Sequence, residues 1–155
     1  MGEVKAWAPT IAYGLLGVVL LVLAVPEGGG RLGVGVLLAL VLLAAAAYFA
    51  PTRLPPSVSQ EEAQAAATSG GVVVYYRAGC VYCQRLAHSL GGRRADALWV
   101  DIWADAEGAA YVRSVNDGCE TVPTVVIDGV AHTNPSPRLV RQALVAAHSS
   151  SSEPR

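Results

Sequence analysis

The apolar residues of this chain follow two different patterns that meet at Pro51. Before it, residues 8–25 and 32–50 each run without a single charge. Each run approaches the roughly 20 residues that a helix needs to cross ~30 Å of hydrocarbon. Pro26-Glu27-Gly28-Gly29-Gly30-Arg31 separates them, a polar turn rich in helix breakers. The pattern predicts a transmembrane helical hairpin over residues 1–50, its backbone satisfied within each helix and its turn in water. Gly14, Gly17, Gly33 and Gly35 are positions where the two helices can approach closely, and Trp7, Tyr13, Tyr48 and Phe49 lie near the run ends, as interfacial aromatics do. A cleaved signal peptide over the first run is the alternative; a second run of spanning length so soon afterwards argues against it. Lys5 and Arg53 flank the hairpin and Arg31 sits in the turn, which points the rest of the chain to the cytoplasmic side of the cell membrane.

After Pro51 the pattern changes to short apolar runs broken by turns. Residues 51–71 read as a linker, stiffened by Pro51, Pro55 and Pro56. Within it Ser59-Gln60-Glu61-Glu62 is a capping-box pattern ahead of a short alanine-rich helix. Residues 72–76 form a compact β-branched and aromatic run, a buried strand. Apolar residues at helical spacing follow over 81–90 and stop at Gly91-Gly92. A strand over 98–103, a helix over 104–115, a strand over 124–127, an Asp128-Gly129 turn, a strand over 130–132 and a helix over 136–147 complete the series. The order β-α-β-α-β-β-α over residues 72–148 describes a small α/β domain with a mixed four-stranded sheet. Residues 149–155 read as a disordered polar tail.

Composition narrows the function classes. The net charge of −1, without a basic run, argues against a nucleic-acid partner. Three cysteines cannot form a fully paired disulfide framework. Two of them form Cys80-Val81-Tyr82-Cys83, where a strand gives way to a helix. There the exposed backbone N–H groups and the helix dipole favour an anion, so the Cys80 thiol is the one expected to ionise and attack. Cys83 is one turn along, within reach of the first sulfur, so a disulfide can form and break without backbone movement. Half a zinc site has the same spacing, but the further candidates Cys119, His88 and His132 lack the paired spacing of structural zinc ligands, and no bound metal is expected.

Thr121-Val122-Pro123-Thr124 stands directly before the third strand. Pro123 is either a plain strand-entry proline or a cis-proline that opens the Val122 backbone toward a bound thiol compound. Its place roughly 40 residues after the CxxC pair, in this order of elements, favours the second reading. Arg77 reads as a solvated charge or an anion clamp, and Tyr82 as a wall of the site or ordinary packing. Trp99 and Trp103 are expected to pack around the sheet, and the three histidines to lie at the surface. Cys119 is a third redox thiol, an intermolecular partner or inert.

These pieces together resemble the glutaredoxin branch of the thioredoxin fold, and within it the actinobacterial mycoredoxins. The likeness rests on the CxxC pair, Asp101-Ile102, Ser114-Val115-Asn116, Thr121 to Val125 and Thr133-Asn134-Pro135-Ser136, and leaves the hairpin, linker and tail outside it. It implies an oxidoreductase that reduces mixed disulfides between proteins and a small thiol. Cys80 would attack, and Cys83 could form a side disulfide with it. Arg77, Tyr82, Thr121, Val122, Pro123, Asn134 and Ser136 would bind the small thiol. Glutathione-using relatives supply lysine, arginine and a Gly-Gly-x-Asp helix start for two carboxylates. This domain has no lysine and carries Asn134-Pro135-Ser136 there, which suits mycothiol, an uncharged sugar conjugate, as the co-substrate. Val81 departs from the glycine or proline usual at its position. The hairpin, absent from small soluble members, points to the lipid bilayer as a partner and to membrane proteins as substrates. Two other readings remain open: an extracytoplasmic disulfide oxidoreductase, and a non-enzymatic iron–sulfur or metal carrier or redox-sensing adaptor.

Overall fold

The computed structural model describes residues 2–24, 29–48 and 54–151, with side chains at 8, 10–23, 33–48 and 54–149. Two compact units divide at Arg53.

The first unit contains α1 (Gly2–Ala24) and α2 (Gly29–Tyr48). Both expected helices are present, and Gly29 to Arg31, expected in the turn, already belong to α2. They approach closely at Gly17, where an added Cβ would lie 3.5 Å from the Ala39 carbonyl oxygen; Gly14 and Gly33 have no such neighbour. Much of the aliphatic surface faces outward, including Leu15, Val22, Leu37 and Leu40. Among the described residues, however, no helix is long and apolar enough to cross a membrane, so the structure does not support the two expected spans. Pro26 to Gly28 of the turn, and the side chains of Lys5, Trp7, Arg31, Phe49 and Arg53, lie outside the described residues.

The second unit is built on the strands β1 (Val73–Tyr76), β2 (Leu98–Asp101), β3 (Thr124–Ile127) and β4 (Val130–Thr133). Their order is β2-β1-β3-β4, with β1 parallel to β2 and antiparallel to β3. This is the mixed four-stranded sheet of the thioredoxin-like fold expected above. The helices are α3 (Gln60–Thr68), α4 (Val81–Leu90), α5 (Ala106–Val115) and α6 (Pro137–Ser151). A parallel pair needs a crossover, and α4 with a 3₁₀ turn over Gly91–Asp96 supplies it between β1 and β2. Side chains alternate across a strand, so the two sheet faces can be read from the register. Tyr75 and Val100 face α5, where Tyr111 stacks on Tyr75 at 4.9 Å. Trp99 lies on the other face, donating its indole N–H to the Arg94 carbonyl at 2.8 Å.

Because β1 and β3 are central, their runs are apolar throughout rather than alternating. Val73, Val74, Val100, Val112, Val125 and Val140 are fully buried, and each such side chain contributes roughly 1.5–3 kcal/mol. Edge strand β4 is exposed or half-exposed along its length. Asp128 and Gly129 turn β3 into β4 with positive φ at both positions, as a two-residue hairpin of this kind requires.

Two expected boundaries change. The segment from Leu54 onward is part of this unit rather than a linker. Ser57 bridges Trp99 beside β2, and the Val58 N–H donates to the Trp99 carbonyl at 2.8 Å. Leu54 and Ala63 enter the core, so the apolar positions between the prolines had a partner that composition does not reveal. Ser59 caps α3 as expected, accepting the Glu62 N–H. At the other end α6 continues through Ser149 to Ser151, residues expected in the tail; residues 152–155 lie outside the described residues.

Candidate active site

The site forms where the chain leaves β1 and enters α4. Gly79 has a φ of 78°, a conformation open to glycine and costly for a residue with a Cβ. That turn lets the Cys80 N–H bond the Arg77 carbonyl and leaves Cys80 as the N-cap of α4. Its sulfur accepts the Cys83 N–H at 3.2 Å. A sulfur at this position faces donors that have no partner inside the helix, so negative charge there is stabilised. Cys80 is half-buried, and Cys83 is fully buried beneath it.

The two thiols diverge in acidity. The Cys80 pKa is lowered to about 6, first by a hydrogen bond from the Cys83 thiol, then by the backbone N–H groups of Cys83 and Tyr82 and by the Arg77 charge, against the opposing effect of burial. Cys83 is pushed far up, because its thiol is the donor to Cys80, because it is buried and because a charge on Cys80 repels a second one. Sequence reasoning assigned the acidity of Cys80 to the helix start; the larger contribution comes from its partner cysteine.

Opposite the sulfur lies the loop ahead of β3. The Val122–Pro123 peptide is cis, the second of the two readings of Pro123. The Cys80 sulfur is 3.7 Å from the Val122 carbonyl oxygen, a distance at which the thiol form donates. Val122 and Pro123 are buried, whereas Thr121 is exposed. Side chains brace this loop from behind. The buried Thr124 hydroxyl donates to the Thr121 carbonyl at 2.8 Å, and the Asn116 amide donates to Thr124 Oγ1 at 3.0 Å and to the Val112 carbonyl at 2.8 Å. Thr133 donates to Asn116 Oδ1. Asn116 and Thr124 were not singled out as site residues. Their bonds run between α5, β3 and β4, and no local spacing encodes that meeting.

The remaining candidates are spread around this centre. Asn134 has a φ of 47°, and its N–H donates to the Pro123 carbonyl at 2.7 Å, so its backbone holds the proline loop. Ser136 accepts the Leu139 N–H and caps α6. Tyr82 is 58% exposed beside Cys80, which sets aside the packing alternative for it. Arg77 is exposed and lies over the Trp103 ring. Trp99 packs in the core as expected, but Trp103 is 40% exposed, a correction. Cys119 is exposed, and all three cysteines are free thiols. Among the described residues, no group of three or more His, Cys, Asp and Glu side chains is placed to hold a metal ion.

Comparison with known proteins converges on this part of the chain. The sequence profile of the family Glutaredoxin matches residues 72–132. Mycoredoxin 1 of Corynebacterium glutamicum is 46% identical over 57 residues, which cover 36% of this chain and 70% of that protein. A protein of Mycobacterium tuberculosis named as a glutaredoxin is 43% identical over 72 residues, covering 46% of this chain and 86% of its own length.

Proposed function

This chain belongs to the glutaredoxin family and is a thiol–disulfide oxidoreductase; from that premise we propose that it reduces mixed disulfides between proteins and mycothiol through Cys80. The observation that carries the reading is the placement of one half-exposed sulfur, at a helix start and 3.7 Å from the Val122 carbonyl oxygen, above a fully buried second thiol. The Cys80 thiolate attacks the mycothiol sulfur of the mixed disulfide. The protein thiolate leaves and takes up a proton, and mycothiol is held as a disulfide on Cys80. A second mycothiol thiolate attacks the mycothiol sulfur, releasing the mycothiol disulfide and regenerating the Cys80 thiolate.

Cys83 need not take part. While Cys80 is a thiolate, Cys83 gives it a hydrogen bond and keeps its own proton. When Cys80 carries mycothiol, that hydrogen bond and the repulsion disappear, but burial still holds Cys83 in its neutral form. A Cys80–Cys83 disulfide is therefore a side path.

The choice of mycothiol is supported by the likeness to Mycoredoxin 1 and by a domain without lysine. To binding of the small thiol we assign Arg77, Tyr82, Thr121, Val122, Pro123, Asn134 and Ser136. The charge-free runs 8–25 and 32–50, with the outward aliphatic side chains of α1 and α2, support attachment of the domain to a membrane, and Lys5 and Arg53 flanking the runs support the cytoplasmic side. Membrane proteins carrying mycothiol are then natural substrates.

The test replaces each cysteine of the pair by serine and follows turnover of a mycothiol-conjugated disulfide. Turnover lost with Cys80→Ser and kept with Cys83→Ser supports the single-thiol route; the opposite pattern overturns it. Equal turnover with glutathione conjugates would remove the mycothiol assignment. Recovery of the full-length chain in the soluble fraction without detergent would remove the membrane assignment, and a reporter after His148 that is active only outside would reverse the topology.

A further inference from the structure

The turn after β1 and the loop after β2 leave the sheet side by side. Tyr76 and Asp101 are register partners in the parallel pair, and the Ile102 N–H donates to the Tyr76 carbonyl at 2.9 Å. The first turn carries Arg77, whose carbonyl accepts the Cys80 N–H at 3.3 Å. The second carries Trp103, whose N–H donates to Asp101 Oδ1 at 3.0 Å. The backbones of both residues are thus tied to fixed points. Their side chains meet, with the Arg77 guanidinium carbon 5.8 Å from the centroid of the Trp103 ring. That is within the range at which a ring face attracts a cation. Among the described residues, no carboxylate forms an ion pair with Arg77.

We propose that Trp103 is a positioning residue, which holds the Arg77 guanidinium on the Cys80 side of the site and so acts on the nucleophile through another side chain. An arginine has a long flexible stem, and its charge acts on a neighbouring sulfur only for as long as it stays near. Trp103 keeps an aromatic face in solvent at 40% exposure, an unfavourable placement for a residue with only a packing role. The charged and titratable groups acting on Cys80 are Cys83 from α4 and Arg77 from the turn. Tyr76 and Asp101, at the ends of β1 and β2, stand behind Cys83. The loop ahead of β3 presents a carbonyl at Val122. Arg77 is thus the one cation in this set, and its location matters. The inference rests on Cys80 being the nucleophile of the proposed reaction.

The experiment measures the pH dependence of iodoacetamide alkylation at Cys80, located by fragment mass, in the full-length chain with Cys119→Ser. Trp103→Ala and Arg77→Ala are each expected to raise the midpoint by roughly half a pH unit, about a twofold loss of rate near pH 6. The double variant is expected to move no further than Arg77→Ala alone. Trp103→Phe, which keeps a ring, should retain the original midpoint. Trp103→Leu, which keeps bulk without a ring face, should shift it as alanine does, so the test survives a poorly folding alanine variant. An unchanged midpoint in Trp103→Leu, or an equal shift when Arg77 is already absent, overturns the proposal. Loss of Cys80-dependent turnover in the unaltered chain would instead strike the proposed function.

Discussion

The mouth and the floor of the site hold the same residue type one helical turn apart, and the fold gives them opposite chemistry. At the mouth, Cys80 collects the N–H groups at the start of α4, the Cys83 thiol and the Arg77 charge, while half-burial opposes them only in part. At the floor, Cys83 loses contact with water, faces a negative neighbour and donates its proton toward it. One hydrogen bond therefore does two things: it lowers one pKa and raises the other. The pair is asymmetric because Cys80 is half-buried at the start of α4 while Cys83 is fully buried one turn along, so removing either thiol changes the other.

The largest effect should come from removing the mouth thiol. Cys80→Ser should lower turnover by about 10³-fold or more in an assay of mixed-disulfide reduction, because Cys80 supplies the half-exposed sulfur beside the Val122 carbonyl. Next is removal of the segment outside the family match. A chain beginning at Val72 loses the buried Leu54 and Ala63 and the Val58 bond to Trp99. It should be less stable by roughly 3–5 kcal/mol in urea unfolding than one beginning at Leu54. A stability difference near zero would show that the site needs only the matched residues.

Cys83→Ala sharpens the comparison directly. It removes the leading cause of Cys80 acidity, so the alkylation midpoint should rise from about 6 by roughly one to two pH units. The sign follows from the reactive species. Thiolate forms as pH rises, so the unaltered protein should be near its maximal rate at neutral pH and the variant still climbing there. A midpoint left near 6 would assign the acidity to the helix start alone. Thr124→Val breaks the brace behind Pro123 and leaves the half-buried Asn116 amide with one partner fewer, the Val112 carbonyl remaining. It should cost about 1–2 kcal/mol, together with a higher KM for the small thiol if the loop helps bind it. Ser59→Ala removes only the cap of α3, costing about 1 kcal/mol and leaving the Cys80 titration in place.

The elements of the domain were legible because their signals are local. The strand at Val73–Tyr76, the helix at Val81–Leu90 and the Asp128-Gly129 turn stand where periodicity and turn chemistry put them. Residues 54–58 read as linker because their prolines are visible in the sequence and their partner, Trp99, lies far along the chain. Trp103 was misread for the reverse reason. Alternation with apolar neighbours suggested packing, but β2 ends at Asp101, and the loop beyond it points the ring outward toward Arg77. In the first unit the charge-free runs predicted helices, which are present, although among the described residues no helix is long and apolar enough to cross a membrane.

The sequence by itself determined the α/β order of the domain, the place of the CxxC pair at a strand-to-helix junction and the proline at the entry to β3. Those features depend on residues within a few positions of one another, where sterics and hydrogen bonding are local. Tertiary structure alone decided how the two thiols come to diverge in acidity, that Asn116 and Thr124 brace the proline loop, and that Trp103 lies under Arg77. Each depends on burial or on a meeting of separate elements. Desolvation and charge act through space rather than along the chain.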